Sequence, residues 1–194
     1  MYNFIYEKVN TIEEVEKLLN ESEETKILAG GQTLIPTMKQ RLASPSTLVD
    51  ICGIDQLNFI NDNGNSVIIG STTTHNTVSS SDIVINKIPS LALLAEGIGD
   101  PHVRNMGTIG GSIANNDPTA DYPTACLSLN AKIKTNKREI NAKDFFIGLF
   151  ETALEENEIV VSIEFNIPQK SSYMKFPNPA SRYAMAGVYV SVFD

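Results

Sequence analysis

Two short stretches carry the residue types from which a phosphate site is built. Leu28 to Leu34 reads LAGGQTL, and Arg104 to Pro123 reads RNMGTIGGSIANNDPTADYP. In the first, an apolar run ends at Gly30-Gly31 and a helical pattern starts near Thr33. A strand, a glycine turn and a helix in that order aim backbone N–H groups at an anion. Glycine takes positive φ in such a turn and lets a ligand approach the backbone without meeting a Cβ. Leu28 and Ala29 lead into that turn, Gln32 and Thr33 add side-chain donors, and Leu34 follows. In the second stretch, Gly107 to Ser112 reads GTIGGS. Gly110-Gly111 expose consecutive N–H groups, Thr108 and Ser112 bring hydroxyls, and Ile109 lies between them. Each loop taken alone is equally a tight structural turn. Two of them in one chain suit two phosphates joined by a bridge. On this reading a branched side chain at Gly30 or Gly110 blocks the ligand and leaves most of the fold intact. Asn115, Asp117 and Asp121 follow the second loop. Asp121 has two compatible readings: an acceptor for ribose-like hydroxyls or an N–H donor at the ligand's far end, or the N-cap of a helix starting at Tyr122-Pro123.

Neither loop is GxGxxG or GxxxxGK[ST], so the two common nucleotide fingerprints are absent, as are GxSxG and HExxH. His75, in TTTHNTV, either touches a cofactor or is structural. His102 falls in a turn. Arg104 has Asp100, Asp117 or a phosphate as partner, with the carboxylates favoured. The two histidines are too few for a metal site of the chain's own, and no residue is assigned a catalytic acid–base role. Cys52 and Cys126 are far apart, form no CxxC, and read as reduced thiols in core packing. A four-cysteine cluster is beyond them. A formal net charge of −8 repels nucleic acid and anionic membranes. It repels a phosphate-bearing ligand too, so local N–H groups must hold one. No apolar run reaches the roughly 18–20 residues that span a bilayer, and the acidic, amphipathic N-terminus is unlike a signal peptide. The expectation is a cytoplasmic protein with no nucleic-acid or membrane partner.

What must position these loops is an ordinary globular chain of 194 residues, 42% hydrophobic and 20% charged. Thr11 to Glu14 predicts a capping box ahead of a helix whose Ile12, Val15, Leu18 and Leu19 share a face. TKILAG predicts a strand, TLIPTMKQRL a helix with Pro36 in its first turn, and STLVDI a strand. Residues 4–52 therefore read as a small α/β unit. Asn63-Gly64 predicts a hairpin ahead of the strand SVIIGS, and Thr74 or Asn76 caps a short helix. A buried helix lies within 86–98, another begins near Tyr122, and AKIKT and REINA form a hairpin. EIVVSIEFNI is the clearest strand, and SSYMKF and AGVYVSVF add two more. The class is α+β with a mixed sheet. After Ile51, strands and helices do not alternate as a doubly wound fold requires.

The chain resembles the FAD-binding medium subunit of the molybdenum hydroxylases, the family of aerobic carbon monoxide dehydrogenases, xanthine dehydrogenases and aldehyde oxidoreductases. The residues that carry the resemblance are AGGQTLIPTMKQRL at 29–42, GSTTTH at 70–75 and RNMGTIGGSIANNDPTADYP at 104–123. FFIG, EIVVSIEF and YMKFPNPASRYAMAGVYV match more weakly. The resemblance implies a two-lobed FAD-binding fold of the vanillyl-alcohol-oxidase (PCMH) type, with mixed sheets and flanking helices. It places a small α/β lobe at 1–54, a larger α+β lobe at 55–170, and at 171–194 the start of a C-terminal domain that is cut short. It implies that Ala29 to Thr33 and Thr108 to Ser112 cradle a pyrophosphate. Asp121 would lie near the ribityl chain or flavin ring, Val160 would be an apolar residue beside the flavin, and Lys175 would stand near the same end. It implies FAD as cofactor, with molybdopterin and [2Fe–2S] clusters only in partners: a large molybdopterin subunit and a small iron–sulfur subunit. Electrons would pass from those clusters through FAD to NAD or another external acceptor. A stand-alone FAD-dependent oxidoreductase and a non-catalytic nucleotide-binding or assembly module are the alternatives.

Overall fold

The chain begins with the α/β unit that its pattern predicts. In the computed structural model, which describes residues 1–194, β1 (Ile5–Lys8), α1 (Ile12–Glu21), β2 (Thr25–Leu28), α2 (Leu34–Lys39) and β3 (Thr47–Asp50) follow in turn. The three strands form a parallel sheet in the order β1-β3-β2. At the start of α1, Thr11 Oγ1 accepts from the Glu14 N–H at 3.2 Å. The Glu14 carboxylate reaches back to the N–H of Asn10 at 2.8 Å, one residue before the position that a capping box uses. Val15 and Leu19 pack with Val9, Val49 and Ile51, and the same cluster takes in Leu57 and Ile159 from later in the chain. That shared core fastens the unit to the rest. Leu28 pairs with Asp50 at the carboxyl end of the sheet, so Ala29 to Thr33 leave it where parallel sheets generally receive ligands.

After a 3-10 turn at Asp55–Leu57, β4 (Ile60–Asp62) and β5 (Ser66–Gly70) form the expected hairpin. Gly64 in its turn takes a φ of +79°. Then come α3 (His75–Ser80), α4 (Asp82–Lys87), α5 (Pro89–Glu96), α6 (Pro101–Met106), α7 (Ile109–Asn115) and α8 (Tyr122–Ser128). Their starts are written in the sequence. Thr74, Asp100 and Thr108 each cap a helix through a side-chain oxygen. Prolines open α5 and α6, where a missing N–H costs little. The remainder is β6 (Lys132–Thr135), β7 (Glu139–Asn141), α9 (Ala142–Phe145), β8 (Phe146–Gly148), β9 (Glu151–Thr152), β10 (Val160–Asn166), β11 (Lys170–Pro177) and β12 (Ala184–Val192).

The second sheet runs β4-β5-β10-β6-β7 and is antiparallel throughout. Parallel and antiparallel pairings are thus kept in separate sheets. Ile69, Ile133, Ile163 and Phe165 on this sheet pack with Leu91 and Leu94 of α5 and with Tyr122 and Cys126 of α8 in the main core. Cys126 is the packing thiol that its sequence context predicts. Cys52 is not: it is exposed just beyond β3, on the outer side of a turn whose Ile51 and Ile54 take the core positions. The β11–β12 hairpin rests on α5 and α8. Ser90 Oγ meets Ser171 Oγ at 2.6 Å and Tyr189 Oη at 2.5 Å, and Ser128 meets Ser191 at 2.9 Å. No helix is long and apolar enough to cross a membrane.

Candidate functional site

The two glycine stretches touch. A Cβ built on Gly30 would lie 2.0 Å from the Met106 carbonyl oxygen and 2.7 Å from Gly107 Cα. Only a residue without a side chain lets the bend after β2 come this close to the end of α6. Gly31 takes a φ of +68°, which completes the reversal into α2. Both stretches line one cleft of about 840 Å³, between the parallel-sheet unit on one side and α7, β10 and the β11–β12 turn on the other.

The two stretches differ in what their amides do. The N–H groups of Ala29, Gly30, Gly31, Gln32 and Thr33 donate to no acceptor in the protein, backbone or side chain; the only bond within the bend is from the Gln32 side chain to the Gly30 carbonyl at 3.1 Å. Ala29, Gly30 and Gly31 are buried or half-buried, where amides without acceptors are uncommon; with the exposed Gln32 and Thr33 they make a row of the kind that forms an anion-binding concavity. The second stretch offers only one, the Thr108 N–H, which donates to no acceptor. Ile109 N–H donates to Thr73 O at 3.1 Å, Gly110 N–H to Ser71 O at 2.9 Å, and Ser112 N–H to Thr108 O at 3.0 Å. Gly111 N–H goes to Thr108 Oγ1 at 3.2 Å. These amides are spent on α7 and on a strap, residues 71–75, to which the stretch is zipped. Gly110 therefore serves packing, not ligand approach: a Cβ there would meet Ser71 Cβ at 2.5 Å and Ser71 O at 2.6 Å. The expectation that a bulky residue at Gly30 or Gly110 spares the fold is corrected by these contacts, the one at Gly30 being the closer. The stretch nonetheless lines the cleft, through Gly107, Thr108, Gly110, Gly111, Ser112 and Asn115.

The strap adds three orphaned polar atoms, Thr72 Oγ1 among them. Ser71 Oγ and His75 Nδ1 are buried without a hydrogen-bond partner, and both residues line the cleft. Burial, with the Arg104 charge adding to it, pushes the His75 imidazole down to about 4; it is neutral at pH 7. Its ring lies 5.4 Å from that of Tyr122, whose hydroxyl is also buried and unpartnered.

Asp121 does not cap α8; its side chain makes no cap hydrogen bond. It is buried and accepts instead from the Tyr173 hydroxyl and from Lys175 Nζ at 3.0 Å. Burial, reinforced by the hydrogen bond to Asp121, pushes the Tyr173 phenol well up. Lys175 Nζ also donates to the Gly97 carbonyl at 3.1 Å. Arg104 pairs with neither Asp100 nor Asp117. Its Nη1 donates to the Ile98 and Gly99 carbonyls, each at 3.2 Å, because the Asp100 carboxylate is occupied capping α6 at the Val103 N–H. Arg182 reaches the same Gly99 carbonyl at 3.1 Å from the β11–β12 turn. Three cations thus hold the carbonyls of the α5–α6 turn, which turns Ile98 and Gly99 to the cleft.

Of the residues singled out in the sequence, Leu28, Ala29, Gly30, Gly31, Gln32, Thr33, Leu34, Thr108, Gly110, Gly111, Ser112, Asn115, Asp121 and Val160 line this one cleft. Ile109 does not; it is fully buried in the main core, between Thr108 and Gly110, which are buried too. Lys175 stands behind Asp121 and lines no part of the cleft. Sequence reasoning missed Ser71, Ile98, Phe150, Leu154, Arg182 and Tyr183. Ser71 lies inside the marked motif GSTTTH, and Arg182 and Tyr183 inside the weaker match YMKFPNPASRYAMAGVYV.

Residues 2–170 match the family model described as the FAD binding domain in molybdopterin dehydrogenase. The chain is 38% identical to the glyceraldehyde dehydrogenase medium chain of Sulfolobus acidocaldarius, over 97% of this chain and 69% of that one. It is 38% identical to the carbon monoxide dehydrogenase medium chain of Hydrogenophaga pseudoflava, over 96% of this chain and 68% of that one. Among solved structures, carbon monoxide dehydrogenase from Hydrogenophaga pseudoflava superposes with a TM-score of 0.92 at 38% identity, covering 96% of this chain and 68% of that one. Quinoline 2-oxidoreductase from Pseudomonas putida 86 does so with a TM-score of 0.92 at 29% identity, covering 96% and 67%.

Proposed function

The chain belongs to the FAD-binding domain family of molybdopterin dehydrogenases, and from that premise we propose that it is the FAD-binding electron-transfer subunit of a molybdenum hydroxylase complex. In that role it is an FAD-dependent oxidoreductase component that passes electrons from iron–sulfur clusters through FAD to an external acceptor. The observation that carries the reading is the row of acceptor-less N–H groups at Ala29 to Thr33, set in a cleft that both glycine stretches line.

The residues present fit FAD. Free amides suit a pyrophosphate, and they supply what the net charge of −8 withholds. The orphaned Ser71 Oγ and His75 Nδ1 lack the partners that a polar ligand brings. In this reading Ala29, Gly30, Gly31, Gln32 and Thr33 hold the pyrophosphate, with Leu28 and Leu34 fixing the ends of the bend. Thr108, Ser112 and Asn115 contribute side chains from the facing wall, and Val160 gives an apolar surface. Asp121 and Lys175 act as a pair: the carboxylate faces the cleft, and the lysine behind it holds the carboxylate and the Gly97 carbonyl in place. FAD, when bound, supplies the electron-carrying ring chemistry. The chain binds it, orients it and shields it from water. The division near residues 54 and 170 into two cofactor-holding lobes and a third part belongs to the same reading.

A large molybdopterin subunit and a small iron–sulfur subunit are the proposed partners, since two separated cysteines ligate no cluster. NAD or another carrier is the proposed acceptor, and the cytoplasm the proposed setting. Anaerobic titration tests the reading. Bound FAD should stay oxidised with the oxidisable substrate alone and become reduced once the partner subunits are added. Reduction by substrate without partners would make the chain a stand-alone oxidoreductase. Protein that neither carries flavin nor takes it up would be left as a nucleotide-binding or assembly module.

A further inference from the structure

Phe150 stands in left-handed backbone, with a φ of +56°. It is the second residue of the two-residue turn joining β8 to β9, across which Gly148 pairs with Glu151. A turn with positive φ at that position takes glycine or asparagine, because a side chain there crowds the backbone. No packing offsets the strain, since the phenyl ring is 60% exposed. The turn is nonetheless firmly held. Asn116, itself left-handed at a φ of +43°, donates its side-chain amide to the carbonyls of Gly148 at 2.8 Å and Glu151 at 2.9 Å. Its own carbonyl accepts the Phe150 N–H at 3.1 Å. Three hydrogen bonds therefore fix a disfavoured conformation whose result is a phenyl ring at the cleft. Arg182 is the other cleft residue with a side chain in left-handed backbone, at a φ of +61°, but it has an internal partner in the Gly99 carbonyl. Phe150 has none. Strain of this kind persists where the surrounding structure over-determines it, commonly at ligand clamps.

We propose that Phe150 is a stacking platform for a planar ring of FAD in the cleft. The inference rests on the FAD reading above. An aromatic ring held out on a rigid turn offers a face to a heteroaromatic ring at little cost in side-chain order. Leu149 and Ile147 beside it, exposed by 75% and 59%, flank the platform.

The test compares wild type with Phe150→Asn, Phe150→Leu and Phe150→Tyr. Thermal unfolding is measured without ligand, and dissociation constants are measured for FAD, ADP and FMN. Asparagine suits the turn and lacks the ring, so ligand-free Phe150→Asn should melt at or above the wild-type temperature and bind FAD about tenfold more weakly, the loss expected for one stacked aromatic. Phe150→Leu should weaken binding similarly, and Phe150→Tyr should bind within about twofold of wild type, since the stacked ring is kept. Weakened ADP binding assigns the platform to adenine; weakened FMN binding assigns it to the flavin. FAD affinity unchanged in Phe150→Asn and Phe150→Leu, or a melting temperature below wild type in Phe150→Asn, overturns the platform. A wild-type protein that binds no FAD sinks the FAD reading itself, and the platform with it.

Discussion

Gly30 lies against the Met106 carbonyl so closely that a methyl group on it would sit 2.0 Å from that oxygen. The contact joins two bends that are distant in sequence and makes one cleft of them. It also separates the roles of glycines that look alike in the sequence.

Gly30→Ala should force the two bends apart, because its clash is with backbone that cannot rotate away. The expected outcome is a loss of stability larger than at Gly110, together with little or no retained flavin. Gly110→Ala should fail differently. Its new methyl meets Ser71 Cβ and O inside the packed wall, and overpacking of this kind typically costs about 1–3 kcal/mol. Gly111→Ala meets only Thr108 Oγ1 within 3 Å and should be the mildest. The 450 nm flavin absorbance per mole of protein, read beside the melting temperature of each ligand-free variant, checks the order. A Gly110→Ala protein that melts like wild type would contradict the packing role.

Amide hydrogen exchange should distinguish the two bends in the unmodified chain. Without ligand, the N–H groups of residues 29–33 lack acceptors and should exchange fast, while those of 109–112 are bonded to the strap and α7 and should be slow. Adding FAD should slow exchange at 29–33 and leave 109–112 nearly as before. Protection that appears only at 109–112 would move the pyrophosphate to the other bend.

The Asp121–Lys175 ion pair is almost wholly buried, with side chains 4% and 10% exposed. Removing one partner strands the other's charge, at a cost of about 3–5 kcal/mol. Asp121→Asn and Lys175→Met should each destabilise strongly, and the double variant should be less unstable than their sum predicts. The loss should show first as proteolysis in the β11–β12 hairpin, whose Tyr173 and Lys175 both bond to Asp121. Chemical denaturation of the four proteins in the cycle measures the coupling. Additive losses would mean that the pair does not act as a unit.

These relationships show where the sequence was legible. Thr11, Thr74 and the Asn63-Gly64 turn act on residues within four positions of themselves, so their local chemistry could be read directly. The cleft bend at Gly30-Gly31 was legible because glycine reports a backbone requirement. Which of the two bends keeps free amides was not, because that depends on carbonyls of Ser71 and Thr73, brought in through β5. Asp121 looked like a helix cap because the N-cap pattern is local, while its partners come from β11, more than 50 positions on. Arg104 was misassigned for the opposite reason: Asp100 is near in sequence but already committed to the Val103 N–H. Phe150 gave no signal at all, since aromatic residues in loops are common and its positive φ exists only in the folded turn.

Acid should weaken the fold in two successive steps. The His75 imidazole is held at about 4 by burial, with the Arg104 charge adding to it, against about 6.5 in an unfolded chain. The unfolded state therefore binds the proton first, and stability falls as pH drops from about 6.5 toward 4 and is restored above it. Burial alone would raise the Glu158 carboxyl, but hydrogen bonds from Arg138, Thr135 and the Glu155 N–H outweigh it and hold the group at about 2. Its contribution is complete above an unfolded value of about 4.3 and is lost as pH falls from there through 2. His75→Gln should flatten the upper step and leave the lower one; Glu158→Gln should cost stability at pH 7 and flatten only the lower step. Denaturation midpoints of the ligand-free protein between pH 7 and pH 3 measure both. Because His75 Nδ1 has no partner and the residue lines the cleft, a ligand that accepts a hydrogen bond there would favour the protonated ring. FAD should then shrink the upper step in wild type, by raising the ring's folded value toward that of the unfolded chain, and leave His75→Gln without such a change; an identical effect in both would remove His75 from contact with the ligand.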